Sequence, residues 1–253
     1  MSIQIIPKDQ QAYGAFNGGQ IVENKPIGFP QDGGDIRPYS NLFYWAYAEA
    51  NVDSTIGLHP HQGFEIMSFV LKGTIRHFDT KLNDWKPLEK GDAQIIRAGN
   101  GISHAEFMAK NSAMFQIWLD PNLAETLQMP ASYDDYRSAD FPVSQNGDVK
   151  VKNYIGSNGL MELHTAGIEI QEWSFEKIEQ TLELDSNKIY SIYALEGDVT
   201  IGGEVLSQDG FAIVQAIDML QLKSESDARL FVIASQTEVD YQTYAQRMQT
   251  RMS

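Results

Sequence analysis

Two pairs of polar residues in the first half of the chain have the types and the spacing of metal ligands. In "GLHPHQGFE" (57–65), His59 and His61 are separated by one residue, and Glu65 follows. In "GNGISHAEF" (99–107), His104 and Glu106 are again separated by one residue. Alternate residues of a β-strand point to the same face, so each pair can point into one interior if both segments are extended. Three imidazoles and a carboxylate could then bind one divalent cation.

The donor set indicates the kind of metal and the kind of site. Imidazole nitrogen and carboxylate oxygen suit Fe(II), Mn, Ni, Cu or Zn, and the chain has no cysteine that would favour a soft metal. Four ligands on one side of a six-coordinate ion would leave two positions for substrate, water or O2, whereas a structural metal is held in a closed shell. The pattern therefore favours a catalytic site, and the spacing leaves open whether Glu65 or Glu106 supplies the carboxylate.

The elements that must position these residues are predicted to be strands. Short segments rich in aromatic and β-branched residues, most of them bounded by Gly, Asn, Asp or Pro, are typical of an all-β fold. These segments are 41–52, 64–80, 93–99, 112–120, 149–156, 167–175, 188–206, 210–224 and 228–235. The polar stretch 121–148 holds three of the nine prolines and is predicted to be a connector. The tail 237–253 lacks Gly and Pro and is predicted to end the chain as a helix.

A weak internal repeat predicts two copies of one small barrel. "SFVLKGTI" (68–75) resembles "IYALEGDV" (192–199), and "LEKGDAQIIRAG" (88–99) resembles "LSQDGFAIVQAI" (206–217). We therefore predict a metal-binding barrel over residues 1–140 and a degenerate barrel without metal over residues 141–253, which also includes the terminal helix.

The second copy has no imidazole at the positions that match the candidate ligands. Alignment places Glu183 and Asp185 opposite the first histidine pair, and Leu222 and Ser224 opposite His104 and Glu106. Histidines that served only barrel packing should recur in both copies. Their restriction to one copy favours a metal site there.

Composition excludes several classes of protein. A net charge of −15, with an acidic excess in both halves, disfavours direct binding of nucleic acid. No apolar run approaches the roughly 18–20 residues that span a bilayer, and the first residues do not match a secretory signal. We expect a cytoplasmic monomer.

Two longer stretches identify a family. "HPHQGFEIMSFVLKGTIRHFDT" (59–80) and "RAGNGISHAEF" (97–107) resemble the two metal-binding motifs of pirins, which are bicupins of the cupin superfamily. The resemblance implies two tandem cupin (jelly-roll) β-barrels facing each other, with one metal in the N-terminal barrel. The ligands it implies are His59, His61, His104 and Glu106, with iron(II) as the usual occupant. Glu65 would then orient a ligand imidazole through a hydrogen bond, with a buried carboxylate near the site whose hydrogen bonds are satisfied as the alternative.

The chain departs from the usual pirin motifs at residues that are not ligands. Gln62 stands where arginine is common, and Arg97 and Asn100 replace residues usual in the second motif. These differences concern the substrate pocket. Of the remaining histidines, His77 is interpreted as an ordinary polar residue at a strand end, with a place at the pocket mouth as the alternative. His164 is expected at the surface or between the barrels.

The resemblance implies two alternative functions. Some pirins oxidise the flavonol quercetin with O2 and open its central ring, which predicts a small aromatic substrate, with Glu106 or Glu65 as the base that accepts the hydroxyl proton. Other pirins bind transcription factors or metabolic enzymes, so the alternative is an iron- and redox-sensing regulator with a protein partner. A purely structural or storage cupin is a third hypothesis, which the open metal face disfavours.

Overall fold

The computed structural model describes residues 2–29 and 31–252. In chain order the strands are β1 (Ser2–Ile6), β2 (Ala12–Phe16), β3 (Ile21–Ile27), β4 (Leu42–Ala50), β5 (Ser54–His61), β6 (Glu65–Lys72), β7 (Thr74–Asp79), β8 (Trp85–Glu89), β9 (Ala93–Arg97), β10 (Ile102–Met108), β11 (Ala113–Leu119), β12 (Ser132–Tyr136), β13 (Val143–Asn146), β14 (Val149–Ile155), β15 (Glu169–Phe175), β16 (Ile178–Glu183), β17 (Lys188–Glu196), β18 (Val199–Ile201), β19 (Glu204–Leu206), β20 (Phe211–Gln215), β21 (Met219–Ser224) and β22 (Ala228–Gln236). The helices are α1 (Leu123–Thr126) and α2 (Tyr244–Met252), with 3-10 turns at Lys8–Gln10 and Ser138–Asp140.

The chain divides into two compact units. The first barrel consists of residues 11–140, 163–166 and 239–253. Its strands form a seven-stranded sheet in the order β12-β9-β6-β11-β4-β3-β2 and a four-stranded sheet in the order β5-β10-β7-β8. The central strands β6, β9 and β11 are buried on both faces, which explains why they contain continuous apolar runs rather than alternating ones.

The second barrel consists of residues 1–10, 141–162 and 167–238. It repeats the arrangement, with sheets in the orders β1-β20-β17-β22-β15-β14-β13 and β16-β21-β18-β19. Its core cluster is apolar throughout and includes Ile192, Val214, Leu220 and Leu222. Apolar side chains therefore occupy the interior in which a second metal site would have to be built.

The two barrels exchange terminal segments, which differs from the predicted division into 1–140 and 141–253. Strand β1, which the sequence analysis missed, pairs with β20 of the second barrel, and Ile3 and Ile5 pack against the second core. Helix α2 belongs to the first barrel, where Tyr244 packs on Phe43. Local sequence does not specify which barrel a short terminal segment joins, because the sheet edge or groove that receives it is built by distant residues.

The predicted connector 121–148 is only partly a connector. It contains α1, whose first turn is capped by the Asn122 side chain, which accepts a hydrogen bond from the N–H of Ala124. It also contains β12, which pairs along β9. The residues of β12, "SYDDY", have weak strand propensity, so this strand depends on its neighbour rather than on its own sequence.

Among the described residues, the structure contains no helix long and apolar enough to cross a membrane.

Candidate metal centre

The two histidine-bearing strands lie side by side, and their register places the ligands together. His59 of β5 is directly opposite His104 of β10. The pairing then shifts, because Glu106 lies opposite Ile56, so β5 carries an extra residue at this point. The ring Nδ1 of His59 donates a 2.7 Å hydrogen bond to the carbonyl of Gly57. That bond leaves Nε2 of His59 as a free electron-pair donor.

Three imidazole nitrogens converge on one point. Nε2 of His104 lies 3.0 Å from Nε2 of His59 and 3.0 Å from Nε2 of His61. Two nitrogens that bind one ion at about 2.1 Å with a right angle between them are also about 3.0 Å apart. The three histidines therefore fit a bound divalent metal, because a cation satisfies lone pairs that otherwise repel each other.

The environment keeps two of these imidazoles, those of His61 and His104, uncharged. Burial, together with the neighbouring rings of His104 and His59, lowers the pKa of His61 to about 3. Burial also holds the pKa of His104 well below its usual value. Neutral imidazole is the form that binds metals, so at neutral pH no proton has to be removed from these two rings.

Glu106 lies in the same cavity as His59 and His61 but outside the tight cluster of nitrogens. Its Oε1 accepts hydrogen bonds from Ser68 Oγ at 2.8 Å and Gln94 Nε2 at 3.2 Å. Its Oε2 accepts one from Gln116 Nε2 at 2.5 Å. The structure thus brings the three predicted histidines together and holds the predicted carboxylate beside them.

The three residues that hold Glu106 were not identified from the sequence. Ser68, Gln94 and Gln116 lie on adjacent strands β6, β9 and β11, where they are cross-strand neighbours. Each is a single polar residue inside an apolar strand, in "IMSFV", "AQII" and "MFQIW". A lone polar residue in a strand that is buried on both faces must have a partner, and that signal could have revealed them.

Glu65 matches the alternative expectation, a buried carboxylate whose hydrogen bonds are satisfied, and among the described residues no ligand imidazole bonds to it. Its carboxylate accepts hydrogen bonds from the N–H groups of His164 (2.7 Å) and Thr165 (2.9 Å) and from the Thr165 hydroxyl. The chain leaves one sheet and enters the other between β5 and β6, so the alternation that begins at His59 does not continue to Glu65. Within β6, Glu65 and Ser68 point to opposite faces. Glu65 therefore anchors segment 163–166.

His77 is not an ordinary strand-end residue. It is completely buried, and its Nε2 lies 2.8 Å from Oδ2 of Asp79. Its ring stacks on Tyr133 at 4.3 Å, and the ring of His104 is 5.7 Å away. Burial lowers the pKa of His77, although the bond to Asp79 opposes that shift. His164 is exposed, in agreement with the surface alternative.

A cavity of about 380 Å³ opens beside the histidines. Four aromatic rings form what we call the aromatic wall, namely Phe16, Phe29, Tyr44 and Trp118. Within this wall Phe29 stacks on Tyr44 at 4.5 Å and meets Trp118 edge-on at 5.3 Å. Trp118 in turn contacts the ring of His61 at 4.8 Å. The cavity therefore offers flat apolar surfaces that lead directly to a candidate metal ligand.

A buried ion cluster of Lys25, Asp32 and Glu23 is hydrogen-bonded to two residues of the aromatic wall. Lys25 Nζ lies 2.9 Å from Asp32 Oδ2 and 3.5 Å from Glu23 Oε2. The same Asp32 oxygen accepts the N–H of Phe29 at 3.0 Å, and the Tyr44 hydroxyl donates to Glu23 at 3.2 Å. Burial raises the pKa of Glu23, and Lys25 opposes that shift. Two of the four rings of the wall are thus tied to one buried cation.

The described residues of the second barrel contain no comparable cluster, because all five histidines of the chain lie in the first. The strands that correspond to β5 and β10 are β16 and β21. In their register, Glu183 lies opposite Met219, and Leu222 lies opposite Gln180. Glu183 and Leu222 therefore do not pair as His59 and His104 do. The sequence alignment of the two copies differs from the strand pairing by three residues.

Comparison with known proteins agrees with the motifs. The family model described as Pirin matches residues 36–119. Quercetin 2,3-dioxygenase of Escherichia coli strain K12 is 31% identical over 182 residues, which cover 69% of this chain and 74% of that protein.

Solved structures agree with the fold. The crystal structure of YhhW from Escherichia coli superposes with a TM-score of 0.80 at 20% identity, over 94% of this chain and 99% of that one. The structure of bacterial pirin YhhW in complex with nickel(II), also from Escherichia coli, superposes with a TM-score of 0.77 at 20% identity, over 94% of this chain and 100% of that one. The predicted all-β fold with two tandem cupin barrels is confirmed.

Proposed function

Because the chain belongs to the pirin family, we propose that it is a metal-dependent dioxygenase that opens the ring of a flavonol such as quercetin, or of a related enol, with O2. One observation carries the proposal. The Nε2 atoms of His59 and His61 each lie 3.0 Å from Nε2 of His104, at a cavity that also contains a buried carboxylate and an aromatic wall. A regulator needs a metal, but it has no need for an aromatic cavity beside that metal.

His59, His61 and His104 would hold the ion, and we propose Glu106 as the fourth ligand. We propose iron(II) as the native metal, with manganese, nickel, copper or zinc as alternatives, because the donors are imidazole and carboxylate. When bound, the ion would supply Lewis-acid and redox chemistry at the cavity.

Side chains of the protein would bind the substrate and accept its proton. The aromatic wall would bind the flat rings of the substrate and exclude water from the reacting carbon atoms. Glu106 would accept the proton of the substrate hydroxyl, because it is the carboxylate that lines the cavity. Three hydrogen-bond donors fix its position.

The test is a single-turnover reaction. Apo-protein is loaded with Fe(II) without oxygen, quercetin is added, O2 is admitted, and flavonol loss and oxygen uptake are followed. We expect equal molar consumption of flavonol and O2, and a fall of at least about 100-fold in rate for Glu106→Gln. Full metal binding without turnover would contradict the dioxygenase and favour the regulatory alternative.

A further inference from the structure

A buried His–Asp pair lies directly behind the candidate ligand His104. His77 and Asp79 are completely buried, and Nε2 of His77 is 2.8 Å from Oδ2 of Asp79. The other oxygen of Asp79 accepts the N–H groups of Lys81 and Leu82, both at 2.7 Å. These bonds fix the carboxylate. Because a carboxylate only accepts, Nε2 of His77 must carry the proton of that ring.

The remaining nitrogen of His77 is therefore an acceptor. Nδ1 of His77 is buried and has no hydrogen-bond partner among the described residues. His77 lies opposite Glu106 in the pairing of β7 with β10. It has no proton to offer that carboxylate, however, since its N–H is already bonded to Asp79. The unused acceptor needs a donor from elsewhere.

His104 has a ring N–H that lacks an acceptor. Its Nε2 faces His59 and His61, so once that nitrogen holds a metal the proton of the ring resides on Nδ1. This Nδ1 is also buried and has no partner among the described residues. The rings of His104 and His77 have centroids 5.7 Å apart. Neither nitrogen has the other within hydrogen-bond distance, so the link between them would need one bridging water.

We propose that His77 and Asp79 position the metal ligand His104 through one water, which accepts a hydrogen bond from Nδ1–H of His104 and donates one to Nδ1 of His77. The inference rests on the metal centre proposed above. Asp79 fixes which nitrogen of His77 accepts, and His77 in turn fixes the orientation of His104. Both are positioning residues, since neither lines the cavity.

The test measures metal affinity without substrate or O2. The dissociation constant for Zn(II) is determined by chelator competition for wild type, His77→Phe and Asp79→Asn. Phenylalanine keeps a ring against Tyr133 but removes the acceptor, so we expect Zn(II) binding about 10–100-fold weaker. Asp84→Asn, the same chemical change at an exposed carboxylate, is the matched control and should not alter affinity.

Asp79→Asn keeps the shape of the side chain and tests the direction of the bond. An asparagine amide can donate to Nε2 of His77, which would move the ring proton to Nδ1 and remove the acceptor for His104. We expect a loss of affinity similar to that of His77→Phe. The double variant should bind Zn(II) no more weakly than His77→Phe alone, because both changes break the same chain of bonds.

A spectroscopic measurement separates positioning from general loss of structure. In the Zn(II) form labelled with ¹⁵N in histidine, the Nδ1–H of His104 should exchange slowly with water, and this protection should be absent in His77→Phe. Unchanged Zn(II) affinity in either single variant, additive losses in the double variant, or fast exchange in wild type would overturn the proposal. A wild type that binds no metal would instead overturn the metal centre itself.

Discussion

Gln116 donates a 2.5 Å hydrogen bond to the carboxylate of Glu106 and so links the two sheets of the first barrel. Ser68 and Gln94 reach the same carboxylate from the same sheet as Gln116. Glu106 therefore connects the two sheets in addition to its proposed role as a base. Substitution of its hydrogen-bond partners can separate these two roles.

We predict that Gln116→Leu lowers turnover by about tenfold or more but leaves metal content unchanged, because Glu106 loses a donor that fixes it while the three histidines are untouched. Stability should fall by about 1–3 kcal/mol, since a buried carboxylate oxygen loses its partner. Turnover, metal analysis and urea unfolding test this. Gln171→Leu, on a strand of the second barrel, is the matched control. Normal turnover in Gln116→Leu would show that the bond does not position Glu106.

Removal of one candidate ligand should remove the metal. His61→Ala should lose stoichiometric metal while it keeps its circular dichroism spectrum, because two imidazoles bind an ion much more weakly than three. His164→Ala removes an exposed histidine from the same barrel and should retain full metal. Metal content is measured after dialysis against excess ion and then against buffer. A full complement in His61→Ala would disprove the site assignment.

The metal-free protein should lose stability as the pH falls below about 6.5. The pKa of His61 is lowered to about 3, and that of His104 well below its usual value, both chiefly by burial. The unfolded chain therefore binds protons that the folded chain does not, so this stability is complete above the unfolded pKa of about 6.5 and declines below it. The slope is at most about 1.4 kcal/mol per pH unit for each ring, and less for the partly exposed His61.

Urea unfolding of apo-protein at pH 7.5, 6.5 and 5.5 tests this dependence. His104→Gln should show a shallower slope, since glutamine does not titrate. Equal stability at all three pH values in wild type would mean that the buried rings take up protons as easily as free histidine does.

Lys25→Met should weaken substrate binding without affecting the metal. Loss of the cation leaves the carboxylates of Glu23 and Asp32 without a counterion. These carboxylates hold Tyr44 and Phe29, so the aromatic wall loses support. We expect quercetin to bind about tenfold more weakly and stability to fall by about 3–5 kcal/mol, as for other broken buried ion pairs. Anaerobic fluorescence titration and metal analysis measure the two effects.

Lys86→Met is the control, because its ion pair with Asp84 is exposed and screened by solvent, so its loss should barely change stability. Quercetin affinity in Lys25→Met equal to that of wild type would mean that the ion cluster stabilises the barrel without shaping the cavity.

Local patterns in the sequence identified the histidines and most of the strands. The direction of a side chain on a strand depends only on its position in the alternation, so the spacing of His59 and His61, and of His104 and Glu106, was sufficient to predict a shared face. Each predicted strand segment contains at least one strand, and segment 64–80 divides at Gly73, where φ is +67°. Local propensity did not reveal β1 or β12, because both depend on the strands beside them.

The sequence by itself determined which residues could bind a metal and that strands would present them in pairs. Spacing left the choice between Glu65 and Glu106 open, and the tertiary structure places Glu106 in the cavity, as the resemblance implied. Only the tertiary structure decided that Gln116 holds Glu106 and that His77 lies next to His104. The physical reason is that alternation within a strand is local, whereas register and sheet membership depend on hydrogen bonds and packing between segments that are far apart in the chain. Glu65 follows His61 by four residues, yet it lies on another sheet and faces away from the site.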